Sequence, residues 1–292
     1  MTEFTNSRLL VTGAGGQLGR LAVEELLARG AQNIVAGSRD ISGLADLAAR
    51  GVEVRHLDFD DSASLASGFA GVDRALIIST LSANRAAHQA AAVAAAKAAG
   101  VSYLAYTSAP NARPNADAAG IADHYWTEQT IAASSLDFTL LRNHIYAEMT
   151  VVGAGPILAS GQLFDATGGN GRNYVTRADA ARTAAGALLS ATGKEIVDVT
   201  GPSPVTQEEL AALYSSLTGK PVTRIGLSAE QLLEALQSAG VPPFMATLLV
   251  AFDQDAAAGH HAIVTDTVER YSGRAPQALR DFLLANRAAL AA

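Results

Sequence analysis

Two rhythms of hydrophobic and polar positions alternate along the first half of the chain. Short apolar runs at Leu9–Thr12, Asn33–Ala36, Val52–Leu57, Arg74–Ser79, Val101–Thr107 and Asp137–Leu141 have the length and composition of strands. Between them, apolar residues recur every three or four positions over Gln17–Arg29, Ser42–Arg50, Ser62–Phe69, Arg85–Ala99 and Asp117–Ala133, the spacing of helices with one buried face. Such alternation builds βαβ units and a parallel sheet. Right-handed crossovers then give an α/β, doubly wound parallel sheet of the Rossmann type. Small or polar residues stand just past the strands: Gly13, Gly37, Asp58, Thr80 and Ser108. The carboxyl ends they mark are where an open α/β sheet binds its ligand.

After Asn143 the rhythm changes. Residues 151–173 are rich in glycine and carry little periodicity. A helix at Arg177–Ser190 and a strand at Glu195–Val199 follow, and Gly201-Pro202-Ser203-Pro204 breaks the chain. Further helices are predicted at Gln207–Leu217, Ala229–Ala239, Phe244–Asp255 and Pro276–Asn286. No repeat is present, and no linker is long or polar enough to separate two independent units. The expected division is a dinucleotide-binding domain over 1–150, rejoined by 174–200, and a small, mainly helical substrate cap from 151–173 and 201–292. The cleft should lie between cap and sheet.

Composition narrows the classes. At 292 residues, 49% hydrophobic and 17% charged, the chain can bury a substantial core. A net charge of −7 argues against a nucleic-acid surface. The chain has no cysteine, so thiolate chemistry, disulfides and Cys-ligated metal are excluded. No stretch reads as a signal peptide or a membrane span, and a soluble, cytoplasmic protein is the expectation. His260 and His261 are adjacent and have no carboxylate cluster at ligand spacing, so no metal site is expected. The alanine-rich run Ala86–Ala99 suits a packed helix or a dimer face, which leaves monomer and homodimer open.

The segment Gly13-Ala14-Gly15-Gly16-Gln17-Leu18-Gly19 carries the clearest chemistry. It joins an apolar strand to a helical pattern, the context in which a glycine cluster binds a dinucleotide. Gly13 permits the sharp turn, Gly16 the close approach of a pyrophosphate, and Gly19 the packing of the new helix. The helix start adds unpaired N–H groups and partial positive charge. The second strand ends in Gly37-Ser38-Arg39-Asp40. Arg39 stands where the adenosine ribose belongs, and a guanidinium suits a 2′-phosphate, which favours NADPH. The adjacent Asp40 leaves NADH open unless it caps the next helix. Asp58 and Phe59 are candidates for adenine contact, Asp58 alternatively for a helix N-cap before Ser62. Ser79, Thr80 and Leu81 should line the cofactor, because small residues there leave room for ribose and pyrophosphate.

These residues, with Tyr106-Thr107-Ser108, Ile121-Ala122-Asp123-His124 followed by Thr127-Glu128, Thr139-Leu140-Leu141-Arg142-Asn143 with Tyr146, Thr176-Arg177-Ala178-Asp179 and Leu217-Thr218-Gly219-Lys220, resemble the NmrA-like branch of atypical short-chain dehydrogenases. Within it they are similar to bacterial NAD(P)H:quinone oxidoreductases and reductases of the triphenylmethane type. The likeness covers most of the chain. It implies NADPH held by the glycine turn, the Arg39 position, Ser79–Leu81, Thr107 and the segment from Asn143 to Glu148, including His144 and Ile145, which would pass beside the nicotinamide. Members often carry Thr in the glycine turn where this chain has Gly15.

Ordinary short-chain dehydrogenases use a Tyr-x-x-x-Lys pair, in which lysine lowers the tyrosine pKa. Here Tyr125 is followed four positions later by Gln129, and Tyr103 and Tyr106 by Thr107 and Pro110. Without that acid an isolated ketone is a poor substrate. A quinone asks less, since hydride addition yields a delocalised hydroquinone anion, and a cationic dye less still. Catalysis then reduces to positioning. Ser108, His124, Tyr125, Asn143, His144 and Tyr146 are candidates to orient a small-molecule conjugated acceptor, while Tyr125 and Trp126 could instead pack their helix on the sheet. Phe244, Met245, Leu248, Leu249 and Phe252 could line an apolar pocket. The expectation is an NADPH-dependent reductase of quinones or similar acceptors. The alternatives are a non-catalytic NADP(H) sensor that binds a protein partner, and a reductase of one specialised metabolite.

Overall fold

The computed structural model describes residues 4–80, 82, 84–114 and 119–290. Leu81, expected at the cofactor, and Asp117, the expected start of the fifth helix, lie outside the described residues. The first strands and helices are β1 (Arg8–Val11), α1 (Gln17–Ala28), β2 (Asn33–Ser38), α2 (Ala45–Ala49), β3 (Glu53–His56), α3 (Ser62–Phe69), β4 (Arg74–Ile77), α4 (Arg85–Ala98), β5 (Tyr103–Ser108), α5 (Ala119–Ala133) and β6 (Asp137–Asn143). The rest are β7 (Ile145–Tyr146), α6 (Glu148–Val152), α7 (Ala154–Ser160), β8 (Gln162–Asp165), β9 (Arg172–Val175), α8 (Arg177–Ser190), β10 (Lys194–Val199), β11 (Pro204–Val205), α9 (Gln207–Thr218), β12 (Thr223–Gly226), α10 (Ala229–Ser238), α11 (Pro243–Ala257), α12 (Thr267–Ser272), α13 (Leu279–Ala285) and α14 (Arg287–Leu290).

Seven strands form one sheet in the order β10-β6-β5-β4-β1-β2-β3, all parallel. The order reverses between β1 and β4, and that switch point is where a doubly wound sheet opens a crevice. Side chains alternate between two cores. Leu9 and Val11 face a layer with α1 and α8, and Leu10 faces the layer of α3, α4 and α5. Arg74 is buried between the rings of Phe4 and Tyr103, at 4.0 and 3.8 Å, and donates to the carbonyls of Ala187, Leu188 and Ala191 at the end of α8. A cation there neutralises the negative helix end and satisfies its orphan carbonyls.

The cap is mainly helical and also holds two small sheets, β11-β9-β7 and β12-β8. They lie partly in the glycine-rich segment, whose elements are too short to show a period. The cap has its own core around Leu158, Leu163, Tyr214 and Leu283. β9 joins a cap sheet, while α12 places Val268 and Tyr271 against the α1–α8 core. Among the described residues no helix is long and apolar enough to cross a membrane, and no group of His, Asp or Glu has the arrangement of a metal site.

Candidate active site

At the end of β1 the chain turns through Gly13, whose φ of 62° is left-handed. The amide of Ala14 donates to the Gly37 carbonyl at 2.9 Å, tying the turn to β2. A Cβ on Gly19 would sit 2.3 Å from the Gly13 carbonyl oxygen, so the first helical turn can rest on the glycine turn only without a side chain. A Cβ on Gly15 would come within 2.8 Å of Ser38 Oγ, so a side chain there would require Ser38 to shift. Gly16 is the N-cap of α1 and provides no side-chain cap. The first-turn amides therefore have no side-chain cap, which suits a helix start that binds an anion. Ala14 and Leu18 are buried in the core, which limits their contribution to main chain; Gln17 is exposed.

Arg39, just past β2, is exposed. Asp40 accepts from the amide and hydroxyl of Ser42 at 2.9 and 2.6 Å, and the hydroxyl bond first, then the amide, holds its carboxyl below the usual range. Both bonds go to Oδ1 and tie the carboxylate to a local turn. Asp58 likewise accepts from the Asp60 amide at 3.1 Å, while Asp61, not Asp58, caps α3 by accepting from Ala63 at 2.9 Å. The cap falls there because the helix begins at Ser62 and the N-cap is the residue immediately before. Phe59 is half-buried against the core under α3 and α4.

At the switch point threonines continue the hydrogen-bond ladder where the strands splay. Thr12 Oγ1 accepts from the Ile78 amide and Thr107 Oγ1 from the Ser79 amide, both at 2.9 Å. Thr107 donates in turn to Ser79 Oγ at 3.2 Å. Thr80 Oγ1 is buried and has no partner among the described residues. An orphaned hydroxyl beside a glycine cradle fits a ribose or pyrophosphate contact, so the residues present suit a dinucleotide.

One strand further, Ser108, expected to orient the acceptor, is bonded within the fold. Its hydroxyl donates to Glu128 at 2.6 Å, and Glu128 holds Arg142 in a bidentate pair at 2.9 and 2.7 Å. Glu128 is only 2% exposed, and a carboxylate that deeply buried takes every donor in reach. His124 is also turned inward. Its Nδ1 lies 2.8 Å from Tyr106 Oη, which donates to Gln89, and burial, with Arg85 nearby, pushes its pKa down to about 3. Trp126 does not pack its helix on the sheet; it is 54% exposed, with half-buried Tyr125 edge-on at 5.1 Å.

The segment after β6 holds its shape through its own contacts. Asn143 Nδ2 donates to Tyr146 Oη at 3.0 Å, and Asn143 Oδ1 is buried without a partner among the described residues. Burial raises the Tyr146 phenol to about 12, so it stays protonated. The Arg177 guanidinium stands 4.9 Å from the Tyr146 ring centre, and Glu148 accepts the Arg177 amide at 3.0 Å. Ile145 packs on the cap core. His144 is buried, with Nε2 3.1 Å from Asp198. In α11, Leu248 and Phe252 pack toward Ile121 of α5, whereas Phe244, Met245 and Leu249 are exposed. The Arg113–Asp255 fork, at 3.0 and 2.7 Å, ties the loop after β5 to α11. Two features escaped the sequence reading: the Glu128–Arg142 pair as a structural unit, and the approach of His261 to His144. Glu128 and Arg142 both stand in the motifs quoted above, but nothing in them says that the two meet; for His261 there was no signal.

Fold and cradle together define a dinucleotide-binding protein of the Rossmann class. The chain belongs to the NAD(P)H-binding family, which it matches over residues 13–191. It is 38% identical to quinone oxidoreductase 2 of Escherichia coli K12 over 256 residues, 86% of this chain and 88% of that protein. The crystal structure of the NADPH-dependent quinone oxidoreductase QOR2 of Escherichia coli, complexed with NADPH, superimposes with a TM-score of 0.90 at 33% identity, covering 95% of this chain and 99% of that one. Triphenylmethane reductase of Citrobacter sp., complexed with NADP(H), gives a TM-score of 0.86 at 31% identity over 96% and 99%. The fold and the NAD(P)H-binding family expected from the residues are thus found.

Proposed function

We propose that this protein is an NADPH-dependent reductase that delivers hydride to a quinone or similar conjugated acceptor without a tuned Tyr/Lys acid. One observation carries the reading. At the carboxyl edge of the sheet Ser108, Glu128 and Arg142 are bonded to one another, and Tyr125 is followed four positions later by Gln129, not lysine. The lysines stand elsewhere: Lys97 in the last turn of α4, Lys194 at the start of β10 and Lys220 after α9. An acceptor that needs no strong acid fits such a site, and the relatives named for quinones and triphenylmethanes support it. When bound, NADPH supplies the hydride. The chain supplies binding and orientation, with Asn143 and Tyr146 beside the nicotinamide and Arg39 at the 2′-phosphate. The test is NADPH oxidation by purified protein across benzoquinones, naphthoquinones and triarylmethane dyes. Turnover of at least one class is expected. Tight NADPH binding without any turnover would replace the proposal with a sensing role.

A further inference from the structure

Arg85 is the first residue of α4, and a cation there opposes the helix dipole, so helix formation does not account for it. Its side chain is only 9% exposed. Nε donates to Asp123 of α5 at 3.0 Å, and Nη1 reaches back to the Thr80 carbonyl at 3.5 Å. The Arg85 amide donates to the Ser82 carbonyl at 3.2 Å. The guanidinium also rests on Gly120, in the first turn of α5: a Cβ there would stand 2.5 Å from Arg85 Nη2. One buried side chain therefore joins the loop after β4 to the first turns of α5.

The two ends of that tie belong to different parts of the molecule. Thr80 follows β4 at the switch point, beside the glycine turn that suits a dinucleotide. On α5, Ile121 stands between Gly120 and Asp123 and packs against Ala251 of α11, with Leu248 and Phe252 partly buried beside it. That contact is a seam between the sheet layers and the cap. A second polar bridge links the same helices, from Gln89 of α4 through Tyr106 of β5 to His124 of α5. The Arg85 charge adds to the burial that keeps His124 neutral, which again places Arg85 against α5. A long side chain held at both ends has little freedom, so ordering the loop orders the start of α5 with it.

We infer that Arg85 is a positioning residue that couples the two ligands of the reaction. When NADPH orders the loop after β4, Arg85 holds the first turns of α5 in place, and the acceptor meets a seam between α5 and α11 that is already set. The second ligand no longer bears the cost of ordering that seam, so each ligand tightens the binding of the other. The inference rests on the reductase reading above.

Gly120→Ala tests this without removing a charge. Its Cβ displaces the flexible end of Arg85, and alanine is the better helix former, so stability in urea should not fall. In the wild type, 1,4-naphthoquinone should bind the NADP+-loaded protein about fivefold or more tighter than the free protein, by direct titration. NADP+ should also slow amide hydrogen exchange over residues 119–125. In Gly120→Ala, and in Arg85→Met, which removes the guanidinium, the ratio of the two affinities falls below about twofold. In both variants NADP+ still slows exchange at the glycine turn but no longer over 119–125. A tie that only holds two helices together would leave both readouts unmoved in the stable Gly120→Ala chain, and that result overturns the inference. Equal quinone affinity of the wild type with and without NADP+ overturns it too. If the quinone binds neither form, the reductase reading fails, and the exchange pattern by itself decides the role of Arg85.

Discussion

Two buried polar clusters flank β6 at the same sheet edge, and they differ in one respect. Between β5, α5 and β6, the Ser108 hydroxyl, the Glu128 carboxylate and the Arg142 guanidinium are bonded to one another. On the β10 side, His144 keeps one partner, Asp198, and His261 none for its ring among the described residues. Both clusters are desolvated, so both bear the cost of burial, but only the first recovers it inside the fold. A saturated cluster sets the shape of the edge. An unsaturated one carries the cost of burial without recovering it. Sequence alone named Ser108 and His144 alike as candidates to orient the acceptor, and said of His260 and His261 only that no metal site is expected.

The comparison breaks first at Glu128. Glu128→Ala leaves a partly buried Arg142 without its anion and should cost about 3–5 kcal/mol of stability, read from urea unfolding. A loss under about 1 kcal/mol would deny the saturated cluster its structural role. Lower pH probes both sides at once. The folded-state pKa of His124 is lowered to about 3 and that of His261 to about 4, each below the ordinary 6.5 of the unfolded chain. The unfolded state therefore binds more protons in that window, and stability is full above pH 6.5 and falls as pH drops toward 4. The slope is about 1.4 kcal/mol per pH unit for each histidine. Denaturant midpoints at pH 7, 5.5 and 4.5 measure it, and His261→Phe should remove roughly half of the slope. An unchanged slope would mean that His261 is not held neutral.

Arg39 extends the contrast to the surface, as an exposed cation at the cofactor end of the sheet. Arg39→Asp should weaken NADPH binding about 10- to 100-fold and NADH binding much less, by calorimetric titration. Equal losses would remove the 2′-phosphate from its role. The smallest effect belongs to Ser108→Ala, which removes one hydrogen bond and should cost about 1 kcal/mol of stability. A collapse of turnover with stability intact would return Ser108 to the acceptor side.

Much of the fold was legible because its signals are local. The strand runs and helical periods between residues 9 and 141 needed no tertiary information, though ends moved by a residue or two as the ladder extended β6 to Asn143. The glycine turn was legible for the same reason, since its geometry is a property of adjacent residues. Residues 151–173 were opaque because α6, α7, β8 and β9 are each only a turn or a few pairs long and take their stability from the cap core. His124, like Ser108, was placed at the acceptor because sequence gives a residue's address along a strand or helix but not the partner that turns it inward.

What the sequence by itself determined is the doubly wound frame, the glycine turn that ends β1, and the exposed cation just past β2. Each depends on short-range sterics or on a side chain's own charge. Only the tertiary structure decided which buried polar groups satisfy one another and which stand open. Glu128 and Arg142 are 14 positions apart and His144 and His261 more than a hundred, and whether such groups meet depends on how α5 and the cap settle on the sheet.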